Sequence, residues 1–194
     1  IHEKIDYAKK VEAVFINIMV KNYFLSDGEA KDLIRDTIQY GASIGVQVYI
    51  ETHRATVTQD LKRAVAYTRD IEDMLLTIDL SHYVVAGEFT EENLDLYAGP
   101  IEKDFDLLLK RTGSLHMRLS NGEQVQVALD RISSKHLDMF KTWWKQGLEY
   151  ASERLNQSQP IPVIIELGPE DYQVKVAHNN EWVYETDRWE ESLK

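Results

Sequence analysis

Four residues stand out by type and position: Glu51 in VQVYIET (46–52), Asp79 in LLTIDLS (75–81), His116 in SLHMRLS (114–120) and Glu166 in PVIIELG (162–168). Each interrupts or ends a short, largely apolar run, where a charge is costly unless something compensates it. Three carboxylates facing one point would repel one another and resist ionisation unless a cation neutralised them. Two Glu, one Asp and one His form an oxygen-rich donor set with a single nitrogen, which suits Mn²⁺, Mg²⁺ or Co²⁺ better than a thiolate-type zinc site. Each residue also has an ordinary reading. A lone carboxylate at a strand end is commonly solvated or caps a helix, and Asp79 is placed to cap one. His82 then only bonds backbone, and a His in SLHMRL is a satisfied, half-buried residue. Concurrence on four runs favours the shared site.

The elements that must position these residues alternate. A first β-like run, VFINIMV (14–20), precedes the four above, and all five are apolar rather than strictly alternating, as parallel strands buried on both faces are. Helical patterns lie between them. Ser26 is a candidate N-cap with Glu29 as its capping-box partner, and Thr58-Gln59-Asp60 leads into LKRAVAYTRDIED. PIEKDFDLLLKRTG opens with Pro100 near a helix start and closes with Gly113, and Ser134 precedes KHLDMFKTWWKQGLEYASERL. The C-terminal EWVYETDRWEESLK is acidic and amphipathic and reads as an outer helix. Five strand-helix alternations predict a parallel α/β fold in a single domain over 1–194. No Gly-x-Gly-x-x-Gly or Gly-x-x-x-x-Gly-Lys-Ser/Thr follows a strand, so a nucleotide-binding doubly wound sheet has no support. Polar residues crowd the C-terminal ends of the strands, where the active site of a barrel sits. The gaps from Glu51 to Asp79, His116 and Glu166 are 28, 37 and 50 residues in turn, each about one β-α unit or a little more.

Composition narrows the function. Against 22 Lys and Arg stand 33 Asp and Glu, a net charge of −11 that opposes binding to nucleic acid. No apolar run approaches the length of a membrane span. There is no cysteine, which excludes disulfides, thiolate catalysis and Cys-based zinc sites and fits a reducing cytoplasm, the expected location.

The ordered set resembles the xylose-isomerase-like TIM-barrel superfamily of sugar and sugar-phosphate isomerases and epimerases, related to endonuclease IV. IDLSH (78–82) is similar to its Asp-x-x-His segment, IELGP (165–169) to its last-strand Glu before a Gly-Pro turn, YIETHR (49–54) to its ligand-Glu strand and SLHMR (114–118) to its ligand-His strand. The resemblance covers about residues 14–172 and implies a (β/α)8 TIM barrel of which this chain carries the last five or so units, the N-terminal ones missing. It implies one divalent metal, Mn²⁺ first, with Mg²⁺, Co²⁺ or Zn²⁺ as alternatives, on Glu51, Asp79, His116 and Glu166. Glu51 and Glu166 would double as general acid and base, moving a proton next to a carbonyl through a metal-stabilised enediolate. His82 and Arg118 would reach the oxygens of a small sugar substrate, although the comparable Arg of the epimerases sits further past the His.

His53, Arg54 and Lys21 follow strands at the same rim and are further candidates for substrate contact; Arg54 forms a surface ion pair on the alternative reading. Two alternatives stand: a zinc nuclease of the endonuclease IV type, whose Asp-x-His is broken here because Arg131 and Ile132 follow Asp130, and a truncated barrel that binds without catalysing. A partial barrel with open edges is expected to associate with further copies of itself. Trp143 and Trp144 are adjacent on a helix and cannot share a face, so one is expected in the core.

Overall fold

A computed structural model describes residues 1–20, 22–155, 160–167, 175–178 and 181–184. Five strands, β1 (Phe15–Ile18), β2 (Gln47–Glu51), β3 (Leu76–Ile78), β4 (Thr112–Met117) and β5 (Val163–Ile165), form one parallel sheet in chain order. Helices α2 (Asp27–Ile44), α3 (Leu61–Asp70), α4 (Ser81–Ala86), α5 (Leu94–Leu109) and α6 (Ser134–Arg154) fill the crossovers, after a leading α1 (His2–Lys10). The parallel α/β sheet with helical crossovers is that of a partial TIM barrel. No helix among the described residues is long and apolar enough to cross a membrane.

Local chemistry explains most boundaries. At the start of α2, Ser26 Oγ accepts from the Glu29 N–H, and Glu29 Oε2 accepts from the Ser26 N–H at 2.9 Å, the expected capping box. The helix stops at Gly45, whose φ of 73° is left-handed. Asp60 caps α3 through the Arg63 N–H at 2.8 Å. Ser133 rather than Ser134 caps α6, accepting from the His136 N–H.

Two helix readings need correction. α5 begins at Leu94, six residues before Pro100, because Leu94, Ile101 and Phe105 continue one apolar stripe onto the core straight through the proline. Gly113 does not end that helix. It is the extra residue of a bulge: Leu76 pairs with Thr112, but Thr77 pairs with Ser114. The C-terminal helix is contradicted where it is described. Residues Glu181–Tyr184 form strand β7, antiparallel to β6 (Lys175–His178). Two residues, Asn179-Asn180, separate these β-rich runs, and such a link favours a hairpin over a helix. The remainder of that segment lies outside the described residues.

The core runs between sheet and helices, with Ile34, Ile50, Tyr67, Leu76, Phe105 and Phe140 fully buried. Trp143 joins it edge-on to Phe105, ring centroids 4.8 Å apart, while Trp144 packs at its margin. α2 lies flush on β2 at Gly41, where a Cβ would meet Val48 Cγ2 at 2.4 Å and the Val46 carbonyl oxygen at 2.8 Å. Gly41→Ala gains at most about 1 kcal/mol of helix propensity. It forces helix and strand apart at a cost of roughly 1–3 kcal/mol. Overpacking wins, so the urea midpoint of the variant is expected below that of the parent; an unchanged midpoint would show the interface to be compliant.

Candidate metal centre

The parallel register brings the polar strand ends to one level. Glu51 ends β2 opposite Thr77 on β3, and Asp79 follows two residues on, on the same face as Thr77. On β4 the face of Ser114 carries His116 and then Arg118. His116 pairs with Ile164 on β5, and Glu166 lies two residues beyond Ile164. Below the site, Thr77 Oγ1 and Ser114 Oγ share a buried hydrogen bond of 2.6 Å.

One oxygen or nitrogen from each of Glu51, His116 and Glu166 falls within 4.8 Å of the others. His116 Nδ1 is 2.6 Å from Glu166 Oε2 and 3.7 Å from Glu51 Oε1. Neither His116 Nδ1 nor Glu166 Oε2 has a hydrogen-bond partner. Burial pushes the His116 imidazole below its ordinary pKa, so it is neutral near pH 7 with a free lone pair. Two buried polar atoms in contact without a hydrogen bond between them could both serve a cation. One imidazole and two carboxylates fit a hard or borderline divalent ion.

Asp79 is brought to the cluster but stands outside that set of three. Its Oδ1 accepts from the Ser81 N–H at 3.0 Å and from Ser81 Oγ at 2.6 Å, the turn-capping role that the sequence left open. Its Oδ2 has no hydrogen-bond partner and faces His82 Nε2 at 3.4 Å and Arg118 Nε at 3.7 Å. Complete burial raises its pKa, opposed chiefly by Arg118. Arg118 is itself buried and pairs with Glu166 Oε1. His82 is 1% exposed, and its ring lies 3.9 Å from that of half-buried His53, tilted by 53°. Desolvation depresses both imidazoles, His82 to about 2. Arg54 is exposed beside them, and its carbonyl lies 2.5 Å from His53 Nδ1. Lys21 lies outside the described residues. His136, next to the broken nuclease motif, is structural: its Nδ1 meets Ser133 Oγ at 2.9 Å and its Nε2 the Phe89 carbonyl at 2.8 Å.

Three residues support the site in ways the sequence reading did not assign. Asn17 on β1 donates its Nδ2–H to Glu51 Oε2 at 2.6 Å and so orients the central carboxylate. The Asp79 N–H donates to Thr52 Oγ1 at 2.8 Å, and Thr58 Oγ1 donates to the Glu51 carbonyl at 2.6 Å; these bonds hold the loop after β2. Asn17 had a signal, as a lone polar residue in VFINIMV. The threonines had none, being ordinary loop residues until burial is known. Asn17→Ala leaves Glu51 unoriented and is expected to weaken divalent-cation binding about 10–100-fold, as loss of an outer-shell partner does. Calorimetric titration with Mn²⁺ checks this, and undiminished affinity would show the carboxylate to be fixed otherwise.

No protein-family model matches the sequence, and no curated protein matches it. Among solved structures, the fold is similar to that of a xylose isomerase-like TIM barrel protein from Mycobacterium smegmatis, crystallised in complex with magnesium. The TM-score is 0.54 at 14% sequence identity, over 87% of this chain and 60% of that one. The likeness shows the fold, and this chain spans about 60% of the length of the protein it matches.

Proposed function

We propose that this chain carries the metal centre of a divalent-metal-dependent isomerase or epimerase acting on a sugar, sugar phosphate or sugar acid. The observation that carries this is the convergence of Glu51, His116 and Glu166 at the C-terminal ends of parallel strands, with buried donor atoms left unsatisfied. Mn²⁺ is the cation this reading favours, with Mg²⁺, Co²⁺ and Zn²⁺ as alternatives. The magnesium of the solved structural neighbour supports a divalent cation, and its xylose isomerase-like fold supports the isomerase reading. When bound, the cation would polarise a substrate oxygen.

The chain's own groups supply the rest. Glu51, oriented by Asn17, and Glu166, paired with Arg118, are two carboxylates on separate strands that flank the space between them. One removes the proton on the carbon beside the carbonyl. Return to the neighbouring carbon gives isomerisation; return by the other carboxylate to the opposite face gives epimerisation. His82 and Arg118 are the groups this reading assigns to substrate oxygens, and the near-complete burial of Glu51, Asp79, His82 and Arg118 keeps water from competing for them.

The test is solvent exchange. With Mn²⁺ bound, as checked by calorimetry, aldoses, ketoses, their phosphates and uronic acids are incubated with the protein in D2O. Loss of a carbon-bound proton signal next to a carbonyl supports the reading, and Glu166→Gln should abolish that loss. A chain that binds Mn²⁺ but exchanges no substrate proton would overturn it.

A further inference from the structure

We infer that the substrate carries an apolar substituent, an aryl ring or a short branched alkyl group, seated in a cavity of about 310 Å³ between the loop after β4 and α6. This rests on the isomerase reading above and narrows its substrate class. Arg118 and Glu166, the ion pair of the proposed centre, are part of the cavity wall. They directly follow Met117 and Ile165, the last paired residues of β4 and β5, so the ladder that separates the two sides of the sheet has ended at their level.

The sequence makes the rest of that wall apolar. Along β4 and its continuation, Met117 and Leu119 alternate with His116 and Arg118 and so take the opposite face. On β5, Ile165 alternates with Glu166 in the same way. Leu137 and Trp144 are two turns apart on α6, on one side of the helix, and both line the cavity. The chain after Leu119 turns back, with the Val127 N–H donating to the Leu119 carbonyl at 3.0 Å, and adds Val127 and Leu129 to the wall. Leu129 is 40% exposed and marks the solvent side.

Lining and size decide between ligands. A phosphate or a run of hydroxyls placed there would exchange water for leucine, valine and tryptophan, which is unfavourable. An apolar group gains on the same transfer. A dry cavity of about 150 Å³ lined by aliphatic and aromatic side chains holds benzene. About 310 Å³ therefore accommodates a substituted ring, yet it lies at the small end of ligand pockets, about 300–1,000 Å³, and suits a substituent rather than a whole second ligand. Trp144, tilted against Phe140 with ring centroids 5.5 Å apart, supplies an aromatic wall for that ring.

The test is calorimetric binding of matched phenyl and methyl glycosides of glucose, galactose, mannose and xylose to the whole chain, with and without Mn²⁺. In at least one pair the phenyl member should bind about 10–100-fold more tightly, the gain from burying a ring. Leu129→Trp fills the cavity from its exposed side and should bring the phenyl member down to the methyl one, with Mn²⁺ still bound. Trp144→Ala removes the aromatic wall and should weaken the phenyl member alone, which keeps the test open if the first variant turns its ring to solvent. Equal affinities in every pair, no binding by any glycoside, or a phenyl preference insensitive to both variants overturns the inference. Mn²⁺ binding and substrate-proton exchange without a phenyl preference leave the isomerase reading standing and overturn the aryl site. A phenyl preference in a chain that holds no Mn²⁺ does the reverse, supporting the aryl site and overturning the isomerase reading.

Discussion

Glu51→Gln should lose Mn²⁺ binding by at least about 100-fold while keeping the fold. Outer-shell substitutions cost about 10–100-fold, and Glu51 is a proposed ligand rather than a support. The change is isosteric, so cavity terms are small. It removes one negative charge from a buried group at the centre of the donor set and turns a carboxylate oxygen into an amide N–H aimed among His116 and Asn17. The amide can still accept from Asn17 through its remaining oxygen, so β1 and β2 stay joined. Calorimetry with Mn²⁺ beside a urea melt separates the outcomes. Lost binding with a normal melt is the expected pair; retained binding would place the cation elsewhere.

The largest stability effect belongs to Arg118→Met. This side chain is 3% exposed, pairs with Glu166 Oε1 and lies 3.7 Å from Asp79 Oδ2. Removing one partner of a buried ion pair leaves the other charge uncompensated, a loss of about 3–5 kcal/mol. Methionine replaces most of the volume, so packing accounts for little of it. The loss should shrink when Mn²⁺ is added in excess, because a cation on Glu166 takes over the neutralising role and binds only the folded chain. Urea denaturation with and without Mn²⁺ checks both statements. A loss under about 1 kcal/mol would show Arg118 to be screened by water, as exposed pairs are.

Much of this was legible in the sequence because it rests on local chemistry. Ser26 with Glu29, and Asp60 in Thr58-Gln59-Asp60, are short-range signals, and they cap the helices they announce. The five apolar runs became the five parallel strands for the same reason. Glu51, His116 and Glu166 converge because the alternation of strand faces is fixed once the register is. What failed depended on long-range packing. Pro100 and Gly113 are punctuation locally, but a stripe of core contacts carries α5 through the first, and a bulge against β3 absorbs the second. Asp79 joins the others in sequence order, yet Ser81 claims one of its oxygens, a bond that only the turn into α4 creates.

The sheet is ordered as the chain is, and the outermost carboxylate of the proposed centre, Glu166, follows its last strand. β5 is the last strand of that sheet, with Val163 and Ile164 each 42% exposed, and it is held by a three-residue register with β4. Among the described residues it is the least anchored piece of the sheet and should open first. A cation shared by Glu166 and Glu51 would fasten this end strand to β2, three positions further in, across β3 and β4. Binding would then be felt as slowed amide exchange at Val163–Ile165, with little change in β2 or β3. Hydrogen-exchange mass spectrometry with and without Mn²⁺ would register it, and uniform protection across the sheet would show that the ion tightens the whole rather than its free edge.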